Sequence, residues 1–73
     1  MTKQTEIKVL SLELQQQEVI ANNLQKKIGR YEKANSIVKN TIAQQDIDDL
    51  KTELETAELQ KEILSSKIKS LQD

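Results

Sequence analysis

The stretch IDDLKTELETAELQKEILSSKIKSL, residues 47–71, decides the fold of this chain. Its apolar residues fall at Ile47, Leu50, Leu54, Ala57, Leu64, Ile68 and Leu71, alternately three and four apart, and only Lys61 interrupts the row. This is a heptad seam, with a at 47, 54, 61 and 68 and d at 50, 57, 64 and 71. A helix with one such stripe cannot bury it alone, so the rest of the chain must supply a partner.

A second seam lies upstream, at Ile7, Leu10, Leu14, Gln17, Ala21, Leu24, Ile28 and Tyr31, and continues formally through Asn35, Val38 and Ile42. The two seams are out of frame. Ile42 and Ile47 stand five residues apart where one frame needs seven, a shift that neither a single stutter nor a single stammer absorbs. The interval also holds Gly29, Asn35, Ser36, Asn40 and Thr41, which are poor helix formers or cap residues. Asp46 followed by Asp49 reads as a helix start, with carboxylates near the positive end of the helix dipole. The expected architecture is therefore two arms, about 5–31 and 46–72. A connector over about 32–45 joins them and carries a short helical piece near Ile37–Ile42. A first helix reaching about 34 and ending in a tight turn is the near alternative. Thr2 or Thr5 is suited to cap the first arm.

Charge favours folding back. Residues 1–33 carry six Lys/Arg and four Glu, whereas residues 46–73 carry eight acids and four Lys. If the chain reverses near residue 38, paired positions sum to about 76, which sets Lys26, Lys27 and Arg30 opposite Asp46, Asp48 and Asp49. A parallel two-chain rod would instead oppose Glu13 to Glu18 and Glu53 to Glu58, against one favourable Lys27–Glu32 pair. The reading is an all-α protein, an antiparallel helical hairpin or coiled coil.

Composition narrows the rest. The 73 residues include no Cys, His, Phe, Trp or Pro, one Tyr and one Gly. So short a chain, without a disulfide or an aromatic core, ordinarily needs a partner chain. Val9, Leu12, Val19, Ile20, Leu59 and Ile63 lie off the seams, and the hairpin register gathers them toward its open end. They are the expected self-association or partner interface, and two hairpins packing there would form a four-helix bundle. Burying a Leu or Ile stabilises by roughly 1.5–3 kcal/mol, far more than an exposed ion pair.

Lys26, Lys27, Arg30 and Lys33 form a basic stripe, three of them on one helical face as phosphate contacts would require. A net charge of −1 and a lone Tyr argue against nucleic acid, so a solvated face is the reading preferred here. A Ca²⁺ loop opening at Asp46 would need Gly at 51 and Glu at 57, where Lys51 and Ala57 stand. No metal, cofactor or catalytic residue is expected, because no phosphate loop, zinc pattern or nucleophile motif is present. Of the polar seam residues, Gln17, Asn35 and Lys61 either set register or mark an edge.

No apolar run approaches the ~20 residues that span a bilayer, so no membrane association is expected and a cytoplasmic setting is the default. The expected function is that of a structural or interaction protein: a homo-oligomer, most simply a dimer, that binds another protein as adaptor, assembly factor or inhibitor, of a kind that phages and other mobile elements encode. The alternative is a small nucleic-acid-associated regulator acting through the stripe around Arg30.

Overall fold

The computed structural model describes residues 2–72, which form two α-helices packed against each other as an antiparallel hairpin. Helix α1 spans Lys3–Ile37 and helix α2 spans Gln44–Gln72. The hairpin is a rod with Cα extents of 54 × 15 × 14 Å.

Both seams are the core. Every a and d position from Ile7 to Asn35 and from Ile47 to Leu71 is buried or half-buried, and Ala21, Ile28, Ile47, Leu50, Ala57 and Leu64 are buried outright. In an antiparallel pair each a residue packs beside a d residue of the facing helix. This register therefore sets Leu14 level with Leu64, Ala21 with Ala57 and Ile28 with Leu50. The Ala21–Ala57 layer, at 1% and 4% exposure, is a waist where two small side chains let the helices approach closely.

α1 starts as a capped helix. Thr2, in extended conformation, accepts a bond on its hydroxyl from the Thr5 amide at 3.3 Å, and Glu6 sits in the first turn. The helix does not stop near residue 31 but runs on to Ile37. Gly29 lies mid-helix on the solvent side, where nothing stands within 4 Å of an added Cβ. One exposed Gly costs about 1 kcal/mol in a helix, too little to end one whose seam goes on packing through Ile28, Tyr31 and Asn35.

The connector is correspondingly short, residues 38–43, and holds no helical piece of its own. Asn40 takes a left-handed φ of 66°, which Asn tolerates better than most residues. Thr41 folds back on Val38, its hydroxyl donating to the Val38 carbonyl at 2.6 Å. The formal seam fails at Val38, which is 62% exposed, whereas Ile42 is half-buried. α2 begins two residues ahead of Asp46, and the Ile47 amide donates to the Ala43 carbonyl at 3.3 Å. Ala43 thus holds the cap position without a side chain to cap with. Asp46, in the first turn, supplies the favourable charge instead.

Asn35 closes the hairpin. Its amide nitrogen donates to the Ile42 carbonyl at 3.0 Å, and its oxygen accepts from the Ile42 amide at 2.8 Å. This two-point clamp, part-buried, pairs residues whose numbers sum to 77, and the core layers sum to 78, two beyond the register expected from charge. Among the polar seam residues Asn35 is the register device.

Candidate interaction surface

The antiparallel pairing gives the other heptad positions sides. In such a pair e faces e′ along one edge of the seam and g faces g′ along the other, with b and c beyond them and f pointing away. The cross-helix ion pair Glu32–Lys51, at 3.2 Å, joins two e positions and marks that side directly. With both groups about half exposed it contributes little, about 0–1 kcal/mol.

All six off-seam aliphatics avoid the e/b side. Val9 and Ile63 are at c and Ile20 is at g, with exposures of 47%, 46% and 40%. Leu12, Val19 and Leu59 are at f and more exposed, at 57%, 54% and 52%. The e and b positions of the open half carry Lys8, Ser11, Gln15, Glu18, Asn22 and Gln25 on α1, and Glu55, Glu58, Glu62, Ser65 and Lys69 on α2. The hairpin is therefore amphipathic across its flat faces as well as along its seam.

A shallow groove opens on the g/c side between the helices, lined by Gln17, Ile20, Leu24, Thr52, Glu53, Thr56 and Ala57. The outer row of α2 along that side reads Thr52, Thr56, Leu59, Ile63, Ser66, Ser70, with no charge over nearly twenty residues. Thr52 and Thr56 satisfy their hydroxyls on backbone carbonyls one turn back, at 3.1 Å each.

The basic stripe is exposed. Lys26, Arg30 and Lys33 follow the outer c/f row of α1, and Lys27 lies at g, its ammonium 5.7 Å from the centre of the Tyr31 ring. Lys27, Tyr31, Asp46, Asp49 and Leu50 line one hollow near the connector. Of the six charges set opposite one another by sequence, the structure brings Lys27, Asp46 and Asp49 together there, without Lys26, Arg30 or Asp48. This complementarity is not realised as ion pairs. Among the described residues Asp48 and Asp49 accept from Gln44 and Gln45, each at 3.0 Å, and the cross-helix pair is Glu32–Lys51 instead. The carboxylates of this run thus stabilise the start of α2. Lys61 keeps its ammonium 3.5 Å from Glu58 at the seam edge.

Two exposed apolar residues at the connector, Ile37 (73%) and Val38 (62%), form a second, smaller apolar tip. Sequence periodicity missed both: Ile37 lies off the seam, and Val38 lies on a seam that the turn breaks. No described helix is long and apolar enough to cross a membrane. No protein-family model matches the sequence, and neither a curated protein nor a solved structure matches the chain.

Proposed function

We propose that the protein is an interaction module: its hairpin self-associates, most simply as a dimer in a four-helix bundle, and presents helix faces to another protein as adaptor, assembly factor or inhibitor. The observation that carries this reading is that six aliphatics, each 40–57% exposed, gather toward the open half of the rod, Val9, Ile20 and Ile63 on its g/c face and Leu12, Val19 and Leu59 on the outer f rows, while none lies on the e/b side. Scattered apolar residues are ordinary on a surface, but a patch at helical spacing marks a contact.

Surface area supports it. The chain exposes 5629 Å², whereas a compact monomer of 8.4 kDa exposes roughly 4,600 Å². The excess follows from the elongated shape of a two-helix rod, 54 × 15 × 14 Å, which leaves the outer faces of both helices without a third element against them.

Sedimentation of the wild type at micromolar concentration, beside a Leu12→Glu/Ile63→Glu variant, tests the reading. The wild type is expected above monomer mass and the variant at monomer mass with reduced helicity, because assembly and stability are linked. A folded wild-type monomer would overturn the bundle and leave the apolar face to a different protein. A second reading, phosphate binding by Lys26, Lys27, Arg30 and Lys33, draws on their shared exposure. It predicts a salt-dependent shift of labelled DNA.

A further inference from the structure

Resting on the self-association reading, we infer that the second copy stacks on the g/c face with its connector at the same end of the bundle. In this arrangement α1 of each protomer lies against α2 of its partner. The two-fold axis then runs along the rod, every neighbouring helix pair is antiparallel, and each level of one hairpin meets the same level of the other.

Two independent patterns agree with that stacking. The apolar half meets the apolar half: Ile20 of α1 comes within one residue of level with Leu59 of α2, and Gln16 within one residue of Ile63, with Leu12 about one turn beyond it. The charges also match. Toward the connector, Lys27 and Arg30 of α1 face Asp46, Asp49 and Glu53 of α2, and toward the open end Glu6 and Glu13 face Lys67. All eight of these residues are exposed, and among the described residues none of them is engaged in an ion pair within the hairpin. The helix-facing ion pair that the hairpin does form lies on the opposite, e side.

The arrangement with connectors at opposite ends fares worse. Charge alone permits it, since Glu13 would meet Lys27 and Asp49 would meet Lys67. It would, however, set Val9 and Ile63 over the charged half, beside Arg30 and Glu53. Sliding the hairpins to bring the apolar halves together would leave about half of each rod uncovered. Stacked level, a face 54 Å long and 15 Å wide covers about 800 Å² per protomer, the area of a standard stable interface. Leu12 and Val19 of one protomer and Leu59 of the other then close the rim.

The chain has no cysteine, so Lys39→Cys in the connector gives one spin label per protomer. Pulsed dipolar spectroscopy is expected to show an inter-label distance below about 30 Å, against about 50 Å for connectors at opposite ends of a 54 Å rod. In parallel, Ile20→Glu should weaken dimerisation at least tenfold, whereas Asn22→Glu on the b row should leave it unchanged. A long distance in a dimer, or equal effects of the two substitutions, overturns the stacking while self-association stands. A monomer by sedimentation overturns both.

Discussion

Replacing Asn35 with Ala should destabilise the hairpin more than any other single polar substitution in it. The side chain makes two hydrogen bonds to the backbone of Ile42, at 3.0 and 2.8 Å, in a part-buried setting. Each is worth about 0.5–1.5 kcal/mol, so the pair contributes about 1–3 kcal/mol. Ala returns about 0.5 kcal/mol through better helix propensity. The net loss is about 0.5–2.5 kcal/mol, or about 2–20 °C in Tm for a chain of this size. Asn35→Asp should fall between, because a carboxylate still accepts from the Ile42 amide but cannot donate to its carbonyl. Urea unfolding followed by circular dichroism at one fixed protein concentration measures the stability, since assembly adds a mass-action contribution. Amide exchange at Ile42 reports the clamp itself and should accelerate in both variants. If Asn35→Ala is as stable as wild type and the Ile42 amide keeps its protection, the clamp does not hold the turn and the reasoning fails.

Three further substitutions probe the same structure by the same unfolding measurement. Gly29→Ala should stabilise by about 0.5–1 kcal/mol, because the site is helical, solvent-facing and empty around an added Cβ. Ala43→Ser should stabilise by about 1 kcal/mol by giving α2 the cap it lacks, with slower exchange of the amides at 45–46. Ala21→Leu should destabilise by about 1–3 kcal/mol, since Ala21 is 1% exposed at the waist against Ala57 and has no room to grow.

The sequence alone determined the two seams, the antiparallel fold-back and the six off-seam aliphatics. Each rests on periodicity or charge summed over many residues, which no single local interaction can reverse. It did not determine where α1 ends. Gly29, Asn35 and Ser36 weaken a helix by about 1 kcal/mol or less apiece, and the packing of Ile28 and Tyr31 outweighs that, so the helix passes through all three to Ile37. The Asn35–Ile42 clamp was likewise illegible, because a polar residue on a seam looks the same whether it meets solvent, a register partner or the backbone of a turn seven residues on. The two-sided character of the rod also waited on tertiary structure. Heptad letters assign a residue to a position on its own helix, but the pairing direction decides whether g meets g′ or e′. Only once the chain turns back at 38–43 do Val9, Ile20 and Ile63 come to share one face, opposite the Glu32–Lys51 pair.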